Sequence, residues 1–339
     1  MRRFDYQRVR DPADAIHAAA ALKAPAAETE WPAQYLAGGT NLVDYMRLDV
    51  VTPRRLVDIN DLQARFGEID ATEKGLRLGA LARMSTVADH PAVRRDYPVI
   101  ADSLRLAASG QIRNMASLGG NVLQRTRCNY FRDVSYAHCN KRAPGSGCAA
   151  LEGVNRKHAV LGVSDACIAT YPGDFAQALV ALDAAVDVAG PGGARTLRFE
   201  DLHRAPGDTP EVETNLGPGD LILGFTVPAG AWTRRSLYLK VRDRESYDFA
   251  LASAAVAIDL EGDVVHEARI ALGGVATKPW RAHAAEAVLK GRALDAAAAR
   301  AAGEAAFDGA RTRTQNAFKP ELGRRVLARA LMQAREMEV

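Results

Sequence analysis

The stretch Leu36-Ala37-Gly38-Gly39-Thr40-Asn41-Leu42 decides how this chain is read. It ends a short apolar run, Gln34 to Ala37, whose pattern predicts a buried strand that stops at the glycine pair. A Gly-Gly-Thr turn after a strand can expose successive backbone N–H groups, an anion-binding nest suited to a phosphate. Glycine serves there because a Cβ would block close approach. A second segment, Ala108-Ser109-Gly-Gln-Ile-Arg113-Asn-Met-Ala-Ser117-Leu-Gly119-Gly120-Asn121, again pairs glycines with hydroxyl and amide side chains. A third, Gly173-Asp174, opens a helix. Each segment alone is compatible with an ordinary turn glycine. No Gly-x-Gly-x-x-Gly sequence follows a strand, so a Rossmann dinucleotide fold lacks its main support.

Outward from the nest, strands and helices alternate irregularly. Asp11 is positioned as an N-cap and Pro12 as the first residue of a helix running to about Leu22. Leu56 to Ile59 and Leu76 to Leu78 read as strands, Met84 to Asp89 as a short helix, and Pro98 to Ala108 as a longer one. Asp174 can cap a helix from Phe175 to Leu182, and Ala185 to Val188 reads as a strand. After Val227-Pro228-Ala-Gly230 the character changes. Ser236 to Val241, Ala252 to Leu260 and Val264 to Gly274 form the pattern of a three-stranded antiparallel meander. Helices then run from Pro279 to Lys290, from Leu294 to about Phe307, and from Pro320 to about Glu336. The organisation is α+β, with residues 1–229 as one domain and 230–339 as the next.

Composition sets bounds. The 339 residues carry a formal net charge of +3 with dispersed arginines, which offers nucleic acid no basic stripe. No apolar run approaches the roughly 20 residues that span a bilayer, so no membrane insertion is expected. The opening Met1-Arg-Arg-Phe-Asp-Tyr-Gln7 has no apolar core and no cleavage site of a secretory signal. The chain's own sequence therefore predicts a cytoplasmic location.

All four cysteines, Cys128, Cys139, Cys148 and Cys167, fall in one loop-like window rich in Arg, Asn, Gly and aromatics. Four thiols gathered in this way can hold an iron–sulfur cluster, hold zinc, or pair as two disulfides. Structural zinc sites favour knuckles with two cysteines two to four residues apart, and none occurs here. The gaps suit a cubane held by separate loops, although neither common ferredoxin spacing is matched. Disulfides would need an oxidising compartment. The seven histidines are scattered and carry no triad, and each reads as a packing or surface residue; His138 beside Cys139 could also hydrogen-bond a cluster.

Taken in order, the motifs resemble the FAD-binding subunit of the molybdenum hydroxylases, the xanthine dehydrogenase and aldehyde oxidoreductase family. The resemblance runs from Ala37–Leu42 through Gln111–Asn121 and Asp174. It continues through Gly219-Asp-Leu-Ile222-Leu, Lys240-Val-Arg-Asp-Arg-Glu-Ser-Tyr-Asp248, Gly273-Gly274-Val-Ala and Asn316-Ala-Phe-Lys319. It implies a vanillyl-alcohol-oxidase-type (PCMH) FAD domain with lobes at about 1–60 and 61–229, followed by a smaller C-terminal α+β domain. Leu36, Ala37, Gly38, Gly39, Thr40, Asn41 and Leu42, with Ala108, Ser109, Ser117, Gly120 and Asn121, would surround the pyrophosphate and ribityl chain. Asp174 and Ile222 would lie near the adenosine end, and Lys240 near the isoalloxazine.

The insert at 122–168 resembles the loop that holds a [4Fe-4S] cluster in flavin subunits of bacterial heterotrimeric aldehyde oxidoreductases. The resemblance thus implies Cys128, Cys139, Cys148 and Cys167 as cluster ligands, with arginines and Lys141 around them. It implies as partners a molybdenum-cofactor large subunit, a [2Fe-2S] small subunit and an external electron acceptor, and co-export to the periplasm if a partner carries a signal. The other function classes are a self-sufficient flavin oxidase or reductase with a structural cysteine loop, and a non-redox zinc-stabilised scaffold that would leave the paired glycines unexplained.

Overall fold

A computed structural model describes all residues, Met1–Val339. Its strands form three sheets. The first joins β1 (Asp5–Arg8), β2 (Ala33–Leu36) and β3 (Arg55–Asp58) in the order β1-β3-β2, all parallel. Parallel strands need a crossover element between them, and the helix Pro12–Ala20 supplies it. Asp11 caps that helix, accepting from Ala13 N at 2.8 Å, and Pro12 occupies its first turn. The helix's alanines pack with Val9, Val57 and Ile59 in a small core of their own.

The second sheet is antiparallel, in the order β4-β5-β8-β6-β7, from β4 (Ile69–Thr72), β5 (Gly75–Gly79), β6 (Ala185–Gly190), β7 (Gly193–Arg198) and β8 (Leu221–Pro228). Sequence patterning alone did not identify β8, although it is the central strand. Its run Leu-Ile-Leu-Gly-Phe-Thr-Val-Pro has a glycine inside and a proline at its end, both strand-weakening features. The pairing explains the glycine, because a Cβ on Gly224 would lie 2.8 Å from Leu78 O. The helix Phe175–Ala181 meets this sheet through the Phe175 and Phe225 rings, whose centroids lie 5.9 Å apart, and is buried at all seven residues. Its sequence, Phe-Ala-Gln-Ala-Leu-Val-Ala, offers no charged face to solvent, as expected of a central helix.

The third sheet is the antiparallel meander β9 (Ser236–Val241), β10 (Ala252–Glu261) and β11 (Val264–Gly273), extended by the two-residue β12 (Trp280–Arg281). Because Trp280 and Arg281 pair with β11, the following helix begins at His283 rather than Pro279. Successive side chains of a strand face opposite ways, and β10 divides accordingly. Ala254, Val256 and Ile258 pack under the C-terminal helices Ala296–Ala306 and Lys319–Arg335, while Ala255 and Ala257 join the core of the second sheet. The small residues on that face let the two layers approach. No helix is long and apolar enough to cross a membrane.

Two further departures shape the site. The helix expected to reach Ala108 ends at Arg105, and Ala108 itself takes a φ of 49°. The second glycine segment, to which periodicity assigned no element, contains two short helices, Gly110–Met115 and Leu118–Val122.

Candidate functional site: a glycine-walled cavity beside a four-cysteine loop

The first wall is built by backbone. After β2 ends at Leu36 the chain turns through Gly39, whose φ of 71° lies in the left-handed region that favours glycine, and enters the helix Leu42–Arg47. Gly38 is glycine for another reason: a Cβ there would lie 2.0 Å from Met115 O. The backbone N–H groups of Gly38, Gly39, Thr40 and Asn41 have no acceptor within the chain. Four consecutive unpaired donors beside a cavity form the concave positive surface that binds an anion.

The opposite wall comes from Ser117, Gly119 and Gly120, and the cavity between the walls has a volume of about 250 Å³. The N–H groups of Leu118 and Gly119 donate to Ala82 O at 3.0 Å and Ala80 O at 2.8 Å. Gly120 N donates to Ser117 Oγ at 3.2 Å. The second glycine pair therefore serves close packing, which the anion-nest reading of the sequence did not anticipate. Of the residues expected around a cofactor, Ala37, Gly38, Gly39, Thr40, Asn41, Leu42, Ser117, Gly120 and Ile222 line the cavity.

Leu36, Ala108, Ser109, Asn121, Asp174 and Lys240 do not. Leu36 packs against the apolar cluster around Tyr45 and Phe131. Ser109 caps the helix Gly110–Met115, accepting from Ile112 N at 3.3 Å. Asn121 is buried with its Oδ1 unpaired and its amide 3.4 Å from Met84 Sδ. Asp174 occupies the N-cap position of the helix that follows it, but its side chain makes no cap bond. Its carboxylate instead accepts from Tyr238 Oη and from Lys240 Nζ, both at 2.7 Å. Lys240 also donates to Leu106 O at 3.0 Å. The expectation that Asp174 and Lys240 attend opposite ends of one ligand is thereby corrected, because the two side chains touch. A buried ammonium needs a counter-charge, and Tyr238 and Lys240 of β9 both reach Asp174 at the start of the Phe175–Ala181 helix. Burial raises the Asp174 pKa despite Lys240 beside it.

A charged network that the sequence did not suggest closes part of the cavity. Arg125 Nε donates to Glu213 Oε1 at 2.9 Å and its Nη2 reaches Glu28 Oε2 at 3.5 Å. Lys141 Nζ lies 3.4 Å from Glu213 Oε2. Burial opposes the Glu213 charge, but Arg125 and Lys141 outweigh it and hold its pKa below the ordinary glutamate value. Glu28 and Glu213 lie 185 positions apart, so no local pattern could pair them.

The four cysteines line one small cavity of their own and all four thiols are free. The loop is tied by backbone. Cys139 and Cys148 face each other across an antiparallel bridge, and Asn140 donates to Ala166 O at 3.0 Å while accepting from Gly147 N at 2.8 Å. These bonds bring the Cys139, Cys148 and Cys167 segments to one place. Burial pushes the Cys128 thiol up to about 12 and Cys167 up to about 11. No three His, Cys, Asp or Glu side chains close on a single metal ion. The histidine against a thiol is His158, with Nε2 3.1 Å from Cys128 Sγ. His138, expected beside the cysteines, lines the same cavity and meets Ser146 O at 2.6 Å.

The cavity and the cysteine loop are joined through Arg127. Its guanidinium donates to Asn41 Oδ1 at 2.6 Å and to Tyr45 Oη at 2.8 Å, and lies over the Tyr45 and Phe249 rings. Tyr45 Oη in turn donates to Arg125 O at 2.9 Å.

Comparison with known proteins gives a consistent likeness. Residues 2–230 match the family model for the FAD binding domain in molybdopterin dehydrogenase, and residues 237–334 match the CO dehydrogenase flavoprotein C-terminal domain. The aldehyde oxidoreductase FAD-binding subunit PaoB of Escherichia coli is 47% identical over 99% of both chains. The carbon monoxide dehydrogenase medium chain of Afipia carboxidovorans is 27% identical over 86% of this chain and 81% of its own. Among solved structures, carbon monoxide dehydrogenase from Hydrogenophaga pseudoflava superposes with a TM-score of 0.75 at 25% identity, covering 98% of this chain and 97% of that one. Quinoline 2-oxidoreductase from Pseudomonas putida gives 0.74 at 21% identity over 99% and 98%, a likeness of fold alone.

Proposed function

Because the chain belongs to the family of FAD-binding domains of molybdopterin dehydrogenases, we propose that it is the FAD-carrying electron-transfer subunit of a molybdenum-dependent aldehyde oxidoreductase. In this reading the carbonyl chemistry occurs on a molybdenum-cofactor large subunit, and a [2Fe-2S] small subunit passes electrons to this chain for delivery to an external acceptor. The observation that carries it is the run of unpaired N–H groups from Gly38 to Asn41 at the cavity wall. Bound FAD would supply a store for two electrons that can be loaded and emptied one at a time. The chain's residues do the rest. The Gly38–Asn41 donors neutralise a diphosphate without a basic side chain, Ser117 and Gly120 border it, and Ile222 offers an apolar wall. Arg127 holds Asn41, and with it the entry to the helix Leu42–Arg47. The 47% identity to an aldehyde oxidoreductase subunit supports the substrate class.

Cys128, Cys139, Cys148 and Cys167 hold a [4Fe-4S] cluster in this proposal, supported by their convergence and free thiols. The purified chain should show flavin absorption and about four iron with matching acid-labile sulfide. Zinc in place of iron would sink the cluster assignment. Copurification from the native host should recover a molybdenum subunit and a small iron–sulfur subunit; turnover of a substrate by this chain alone would favour a self-sufficient flavoenzyme instead. Gly39→Val, which forces a β-branched residue to a φ of 71°, should abolish flavin retention. Undiminished flavin content would remove the nest from the proposal.

A further inference from the structure

Lys141 is the one residue that lines both the glycine-walled cavity and the cysteine cavity. Its side chain is 11% exposed, and its Nζ donates to Pro210 O at 3.0 Å and faces Glu213 at 3.4 Å. The other arginines of the loop have partners of their own, although the Arg142 charge also bears on Cys139. Arg132 pairs with Asp44 at 2.7 Å, Arg142 donates to the carbonyls of Tyr130 and Phe131, and Arg127 is held by Asn41 and Tyr45. Arg125 faces Glu213 and Glu28. One buried ammonium therefore stands in the wall between the two sites.

We propose that Lys141 is the positioning residue through which the protein sets the reduction potential of a cluster on the four cysteines, and through which charge in the neighbouring cavity is felt there. The inference rests on the cluster assignment made above. One-electron reduction adds a single negative charge to a thiolate-ligated cluster and breaks no bond. A fixed cation in a low-dielectric wall stabilises the reduced form more than the oxidised one and so raises the potential. Glu213, the nearest counter-charge to Lys141, opposes that effect. The two residues thus act with opposite sign, which a purely structural role for either would not produce.

The test is a dithionite titration of the full chain in its complex, followed by the electron paramagnetic resonance signal of the reduced cluster, with iron, sulfide and flavin contents measured in parallel. Lys141→Met should make reduction at least tenfold less favourable, a fall of about 59 mV for one electron. Lys141→Arg should restore most of the potential, and Glu213→Gln should move it upward. An unchanged potential in Lys141→Met with iron intact would overturn the proposal. If that variant does not fold, a Glu213→Gln potential that fails to rise overturns it instead. An unmodified chain without iron and sulfide would defeat the cluster assignment itself, and this inference with it, a result distinguishable from loss of the Lys141 effect alone.

Discussion

The glycine nest and the cysteine loop sit side by side and are made by opposite means. The nest works through backbone N–H groups, so its chemistry is a property of consecutive residues, Gly38 to Asn41. The cysteine loop works through side chains drawn from positions 39 residues apart, and it exists only because Asn140, Ser146 and Ser164 tie its segments together. A backbone site tolerates little change in shape, whereas a side-chain site tolerates little change in chemistry.

Gly38→Ala should be the most severe test of that contrast. The added methyl would lie 2.0 Å from Met115 O, so one wall must shift, and flavin content measured after purification should fall to a small fraction of the parent while iron persists. Retained flavin would show that the nest is not backbone-limited. Cys128→Ser, which is nearly isosteric, should do the reverse, with iron lost and flavin kept. Simultaneous loss of both would mean that the two regions are one cooperative unit.

The joint between them should carry a pH dependence. Val122 O accepts from Tyr171 Oη and from His203 Nε2, both at 2.9 Å, where the second glycine segment passes into the cysteine loop. Burial lowers the His203 pKa from 6.5 to about 4, so the folded chain keeps the ring neutral. The unfolded chain binds its proton below 6.5, so the contribution is fully present above that pH and is lost as pH falls toward about 4. The loss is on the order of 3 kcal/mol. Urea midpoints at pH 7 and near pH 4 should therefore differ more for the parent than for His203→Gln; equal differences would remove His203 from the joint. Arg127→Ala should have the smallest effect, a roughly fivefold weaker retention of flavin, corresponding to about 1 kcal/mol for a lost charge-assisted bond to Asn41. A binding titration that finds no weakening would show that the loop does not support the nest.

Much of this arrangement is legible before folding. The Asp11 cap, the helix Met84–Asp89 and the meander strand Ser236–Val241 follow from local rules of capping and periodicity. The central strand β8 was hidden because Gly224 and Pro228 make sense only against its partner β5, where Leu78 O crowds the glycine and Gly75 pairs with the proline. The pairing of Asp174 with Lys240 was hidden in the same way. Each residue alone suggests a ligand contact, and only the folded chain, which brings Lys240 of β9 to Asp174 at the start of a buried helix, shows that they bond each other.

By itself, the sequence determined the Gly-Gly-Thr turn, the cysteine window and the elements of the C-terminal meander, because turn conformations and hydrophobic periods are written in neighbouring residues. Only the tertiary structure decided that Glu28, Arg125, Lys141 and Glu213 close one wall, that His158 meets Cys128, and that Lys141 stands between the two cavities. Buried charges are tolerated only where partners from distant segments compensate them. Those partners are chosen by the fold and leave no local trace.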